Sequence, residues 1–348
     1  MTRPRSVPGL AGAVAGLAAG IALEHVALRR RRTADPEASE NFGSRRGARS
    51  RILHRPDGAW IFVEETGPHS DTGVLFIHGS SLRSDTWHYQ MEEIQGRRLV
   101  FFDLRGHGRS RRGGSAPYSV ATMVQDLVAV LEDTELAEVC IVGHSLGGMI
   151  ALQLCRERPE LMGTTIKSLV LCNTTYRHAV ETMAGGAAVA RLERLSRRPF
   201  DLVGSQHAHL DRLRELVRPS DALFWTVSFA GFGPRASAKQ IDFTYDMLAE
   251  TPSSTIFDLF KAYRDFDVTD HLADVGVPAL VIGGTHDRVT VPAASEYLAE
   301  HLPHAELVML EGCGHMAMME RHAEFSEKLD RFLADTLGPR TSERRDDG

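Results

Sequence analysis

The chain is short of several things that would narrow its role. Cysteine is scarce: Cys140, Cys155, Cys172 and Cys313 are the only four in 348 residues. They are widely spaced, and three sit in apolar surroundings. That pattern excludes a disulfide framework and a Cys-x-x-Cys metal site, and fits reduced, packed thiols. A basic excess is also missing. Forty lysines and arginines against 46 aspartates and glutamates leave a formal charge of −6, so binding to nucleic acid through phosphate neutralisation is not expected. No glycine-rich phosphate loop follows a strand, and no His/Cys/Asp cluster has metal-ligand spacing, so no cofactor and no metal is implied. A clear membrane span is lacking too: the uncharged N-terminal stretch Gly9 to Leu23 falls short of the ~20 apolar residues that a spanning helix wants.

That N-terminal stretch still needs a reading. With Val26 to Leu28 added, residues 9–28 are expected to associate with a membrane, and residues 1–32 form an apolar segment read as an anchor. Arg29 to Arg32 outweigh Arg3 and Arg5. The positive-inside rule then keeps the C-terminal side of this segment, with the bulk of the chain, in the cytoplasm. A cytoplasmic or exported protein is the alternative. Residues 33–49 read as a polar linker and 339–348 as a disordered tail.

What remains is ordinary globular material, 43% hydrophobic and 25% charged, enough for one large α/β domain. "RILHRPDGAWIFVEE" is a hairpin signal, with Pro56, Asp57 and Gly58 as the turn. Then six apolar runs recur: "GVLFIHG", "RLVFFD", "EVCIVGH", "SLVLCN", "PALVIGG" and "ELVMLEG". Continuous Val/Leu/Ile runs without alternation belong to strands buried on both faces, and helical patterns lie between them. The expectation is a doubly wound, mostly parallel sheet. Val120, Met123, Val124, Leu127, Val128 and Leu131 illustrate the intervening helices, with Ser119 as the N-cap. The rhythm stops for roughly 100 residues after Asn173, too long for a structureless loop in a compact domain. Leu, Val, Ile and Phe recur there at helical intervals, so a helical cap is expected after the sixth strand. The division is 50–173 and 274–338 for the core and 174–273 for the cap. In the cap, Phe224 and Trp225 are candidates for lining an entrance, and Arg194, Arg197 and Arg198 read as a solvated face.

"VCIVGHSLGGMIALQL" carries the chemistry. Gly143, Ser145 and Gly147 form G-x-S-x-G where a strand ends and a helix starts. A sharp strand-to-helix turn exposes the serine hydroxyl, and small flanking residues let strand and helix pass closely. A lone hydroxyl is a poor nucleophile and needs a base, with a third group to orient that base. Among 16 histidines, His315 follows the last predicted strand, and Asp287 follows the one before it. His78 and His144 belong to turns and read as wall residues, His107 falls in a loop read as structural, and Asp267 and Asp270 are reserve acids.

The order Ser145, Asp287, His315, each beyond a strand's carboxyl end, resembles the nucleophile, acid and base of the α/β-hydrolase fold superfamily, over about residues 50–338. The resemblance implies that "FIHGSS" is the turn whose Ser80 N–H is one oxyanion donor and that the N–H of Leu146 is the other. It also implies that "DLRGHGRS" (103–110) is a structural loop. With serine rather than aspartate at the elbow, epoxide opening and dehalogenation are set aside and acyl transfer is favoured. The expectation is a serine hydrolase of carboxylic esters acting on a small-molecule or lipid-like acyl substrate. A thioester, a lactone, a carbon–carbon bond, or a non-catalytic binding module are the alternatives. The sequence does not speak to oligomeric state.

Overall fold

The structure, a computed structural model, describes residues 24–114, 116–185 and 221–340. Eight strands form one sheet: β1 (Arg49–His54), β2 (Trp60–Thr66), β3 (Thr72–Ile77), β4 (Arg98–Phe102), β5 (Glu138–His144), β6 (Ile166–Cys172), β7 (Ala279–Gly284) and β8 (Ala305–Leu310). They lie in the order β1-β2-β4-β3-β5-β6-β7-β8. The β1/β2 and β2/β4 pairs are antiparallel, and all others are parallel. The expected hairpin is β1 and β2, joined through the Pro56-Asp57-Gly58 turn. Gly58 takes φ +83° there, a left-handed conformation that favours glycine.

The unbroken apolar runs are explained by burial on two faces. Leu75, Ile77, Val100, Phe102, Val139 and Ile141 point into one layer, and Val74, Phe76, Leu99, Phe101, Cys140 and Val142 point into the other. Successive strand residues alternate between the layers, so both sets must be apolar. The first layer is closed by α2 (Val120–Thr134) and α3 (Leu146–Glu157). Ser119 caps α2 as expected, its Oγ accepting the Thr122 N–H at 3.1 Å. The fully buried Leu127 contributes about 1.5–3 kcal/mol by leaving water. The second layer is closed by α8 (His322–Leu337), through Phe325, Leu329 and Leu333.

Between β6 and β7 the described residues form three α-helices, α4 (Asp221–Gly231), α5 (Ala238–Glu250) and α6 (Ser253–Arg264). The helix α7 (Pro292–His301) follows β7. Arg194, Arg197 and Arg198 lie outside the described residues. All four cysteines are buried and free.

The N-terminal expectation is corrected by the structure. Among the described residues no helix is long and apolar enough to cross a membrane. The end of the expected anchor belongs to α1, residues 24–33, which is docked on the protein. Leu28 is buried in the second layer with Phe224. The arginines read as a membrane flank have protein partners. Arg32 makes an ion pair with Asp242 at 2.6 Å, and Arg31 and Arg32 lie over the Phe224 ring at 5.6 and 5.2 Å. His25 Nδ1 meets Asp221 at 2.7 Å. A membrane-associated placement with the catalytic domain facing the cytoplasm is therefore set aside; residues 9–23 lie outside the described residues. Phe224, expected to line an entrance, is instead buried against α1. Residues beyond α1 also pack on the inserted helices. Asp35 accepts the Ser237 hydroxyl at 2.9 Å and the Lys239 N–H at 3.0 Å, at the start of α5, and Phe42 stacks on Phe243 with centroids 5.1 Å apart.

Candidate active site

The parallel strands deliver their carboxyl ends to one edge of the sheet. Ser145 stands there between β5 and α3, with φ 51° and ψ −114°. A non-glycine residue in that region carries on the order of 1–3 kcal/mol of strain, which its surroundings must hold in place. They do so through the backbone. Ser145 N–H donates to Cys172 O at 3.0 Å, and its carbonyl accepts from Gly148 and Met149 N–H at 3.0 and 3.1 Å. The Thr174 hydroxyl donates to the same carbonyl at 2.6 Å. The flanking glycines are needed for space. A Cβ on Gly143 would stand 2.6 Å from the carbonyl of Gly147, and one on Gly147 would overlap the carbonyl oxygen of Ile77.

Asp287 and His315 meet as the sequence predicts. His315 Nδ1 is 2.9 Å from Asp287 Oδ2; a carboxylate accepts, so Nδ1 carries the proton and Nε2 is left as an acceptor. Asp287 is almost fully buried and richly supplied with donors. Oδ1 accepts the Val289 and Thr290 N–H at 2.8 and 2.9 Å. Oδ2 accepts Asn173 Nδ2 and Thr290 Oγ1, both at 2.8 Å. Burial alone would raise its pKa. The positive field and hydrogen bond of His315, with the Asn173 amide and the Thr290 N–H, outweigh burial and hold the carboxyl below its ordinary range. The reserve acids are elsewhere: Asp267 and Asp270 are exposed, and Asp267 Oδ1 accepts the Thr269 N–H at 2.9 Å.

The His315 turn lies against the elbow. His144 Nε2 is 3.0 Å from the His315 carbonyl, and the two rings are 4.8 Å apart. Burial drives the His144 pKa well down, so His144 is neutral with its proton on Nε2. His78 accepts the Leu104 N–H at Nε2, 2.9 Å, and packs edge-on to His107. Both are wall residues, as their turn motifs suggest. The Asp103–Ser110 loop is structural by the same measure: Asp103 accepts the Ser84 and Arg109 N–H at 2.7 and 2.8 Å.

The turn after β3 flanks Ser145 on the other side. A Cβ on Gly79 would lie 3.1 Å from Ser145 Cβ, so the turn that carries Ser80 closes on Ser145 at Gly79. Leu146 is the first residue of α3, so its N–H has no intrahelical acceptor and sits at the positive end of the helix dipole. The Ser80 side chain hydrogen-bonds Tyr263 of α6. Sequence reasoning missed Asn173, Thr290 and Tyr263. Only Thr290 carried a local signal, a threonine three residues after the acid; the other two arrive from strand order and from the inserted segment.

A cleft of about 360 Å³ opens between the Asp103–Ser110 loop and α5 and α6, lined by Arg83, Arg111, Arg112 and Thr255 among others. None of Ser145, Asp287 or His315 lines it. Among the described residues no group of three His, Cys, Asp or Glu side chains could hold a metal.

The family model described as alpha/beta hydrolase fold matches residues 73–322. The chain belongs to this family. The alpha/beta hydrolase sheet and its flanking helices are those described above. Among curated relatives, a putative carbamate hydrolase, RutD, of Variovorax paradoxus (strain S110) is 27% identical over 284 residues, covering 80% of this chain and 98% of its own. The proline iminopeptidase of Lactobacillus delbrueckii subsp. lactis is 25% identical over 303 residues, covering 80% and 96%. Among solved structures, an esterase from Exiguobacterium antarcticum superposes with a TM-score of 0.64 at 20% identity, covering 82% of this chain and 99% of that one. At that identity the likeness speaks for the alpha/beta hydrolase fold alone.

Proposed function

We propose that the protein is a serine hydrolase of carboxylic esters, with Ser145 as nucleophile, His315 as base and Asp287 as the carboxylate that orients it. The observation that carries this reading is the 2.9 Å pair between His315 Nδ1 and Asp287, on a turn held against the Ser145 elbow. It fixes the tautomer in which Nε2 is free to take a proton. As Ser145 Oγ attacks the ester carbonyl, its proton passes to His315 Nε2, and the oxyanion is met by the Ser80 and Leu146 N–H groups. Collapse expels the alcohol, which takes the proton from His315. Water, deprotonated by the same nitrogen, then attacks the acyl-serine and releases the acid. Asp287 stays ionised throughout, because its donors favour the charged form.

The segment 174–273 is read as a cap over this edge. Gly231, at the end of α4, accepts the His315 N–H at 2.9 Å, and Tyr263 of α6 reaches Ser80, so the inserted helices touch both sides of the proposed site. The carbamate and prolyl-peptide substrates named for the relatives are also cleaved at a carbonyl. An ester is the least demanding member of that set, since its alkoxide leaves more readily than an amine. A panel of p-nitrophenyl esters of increasing acyl length, run beside a proline anilide, a carbamate and a lactone, tests the reading. Ester turnover should lead, and the length profile would report the acyl pocket. Turnover confined to the anilide or the carbamate would move the protein to another substrate class.

A further inference from the structure

The turn carrying His315 is fastened to the inserted segment by backbone contacts as well as by side-chain packing. Besides the His315 to Gly231 bond, Phe232 and Gly233 lie flat on Gly312 to Gly314. A Cβ on Gly314 would stand 2.5 Å from the Phe232 carbonyl carbon, and one on Gly233 would overlap the Gly312 carbonyl oxygen. One carboxyl group lies between the two stretches. Glu320 Oε2 accepts the Gly233 N–H at 2.7 Å. Its Oε1 accepts the Gly314 N–H at 2.9 Å and faces Cys313 Sγ at 3.8 Å. Each oxygen thus holds a different loop.

This carboxyl is poorly placed for stability. Burial pushes its pKa up to about 7, against the pull of the Gly233 and Gly314 N–H groups. The charged and titratable groups around it are few. Cys313 is a buried thiol whose own pKa is raised by burial, and the neighbouring Arg321 spends its guanidinium on Glu324 at 2.8 Å. Between the ordinary 4.5 and about 7 the folded chain keeps a proton that the unfolded chain releases, so this group's contribution to stability falls as pH rises through that window. A glutamine would avoid the charge but has only one acceptor oxygen, whereas two N–H groups require two.

We propose that Glu320 is a positioning residue that ties the His315 turn to the Gly231–Gly233 corner of the inserted segment, so that His315 keeps its place only while both loops are held. The proposal rests on His315 being the base. Protonation turns one carboxyl oxygen into a donor and so changes how the two loops are held.

The test compares the wild type with E320Q and with H315A, using p-nitrophenyl acetate turnover across pH. The expected E320Q is folded, with KM within about threefold of wild type and kcat lower by roughly tenfold to a hundredfold. Its acid limb shows one ionisation where the wild type shows two. A merely structural glutamate would leave that profile unchanged. E320Q with wild-type kcat and both ionisations overturns the proposal while an inactive H315A keeps the base assignment; an active H315A overturns the assignment itself. If E320Q does not fold, amide exchange on the wild type decides. After correction for intrinsic rates, protection of the 231–235 and 312–316 backbone should fall together as pH rises from 4.5 to about 7, and protection that stays flat overturns the proposal.

Discussion

Replacing Asp287 with asparagine perturbs one atom and keeps the shape. The amide oxygen can still accept the Val289 and Thr290 N–H groups that now bond Oδ1. Its NH2 replaces Oδ2, which at present accepts from Asn173, Thr290 and His315. The Thr290 hydroxyl can turn to accept. Neither the Asn173 amide nor the His315 Nδ1–H can donate into an NH2 group, and His315 answers by moving its proton to Nε2. A proton on Nε2 is the wrong tautomer for taking one from Ser145. In the Ser-His-Asp template that exchange lowers kcat by ~10⁴, or about 5.5 kcal/mol at 1.36 kcal/mol per tenfold. Steady-state hydrolysis of p-nitrophenyl acetate measures it, with a thermal melt to show that the variant is folded. A kcat within tenfold of wild type would refute the reasoning, and a large loss in D267N or D270N instead would name a different acid.

Other expectations follow from the same contacts. Gly147→Ala should lower stability by about 1–3 kcal/mol or more, read as a drop in melting temperature, because its methyl overlaps the Ile77 carbonyl; an unchanged melt would mean that the elbow can relax. Asp35→Ala removes the acceptor of the Ser237 hydroxyl and one of the two acceptors of the Lys239 N–H. It should cost about 1–3 kcal/mol in a denaturant titration, and no cost would mean that the residues after α1 are not braced on the inserted helices. The folded pKa of Asp287 is held below its ordinary 3.8. Its ionised form therefore adds stability above that value and loses it as pH falls through the folded pKa; D287N should flatten the acid end of the melting profile.

The sheet was legible because its strands are buried on both faces, so runs such as "GVLFIHG" admit almost no polar residue. The elbow was legible because its glycines answer a local steric demand. The meeting of Asp287 with His315 followed from strand ends. What could not be read were partners set by the fold. Asn173 reaches Asp287 across 114 positions, and Glu320 holds an inserted-segment amide 87 positions away. Neither leaves a periodicity. The N-terminal segment misled for the same reason: Arg32 finds Asp242 across 210 positions, and without that partner a block of arginines after an apolar run reads as a membrane flank.

The most direct measurement is labelling with a fluorophosphonate probe followed by peptide mass spectrometry, alongside ester turnover, on the wild type and S145A. The account predicts a single adduct on the peptide containing Ser145, with both labelling and turnover lost in S145A. Labelling elsewhere, or turnover that survives in S145A, would contradict it.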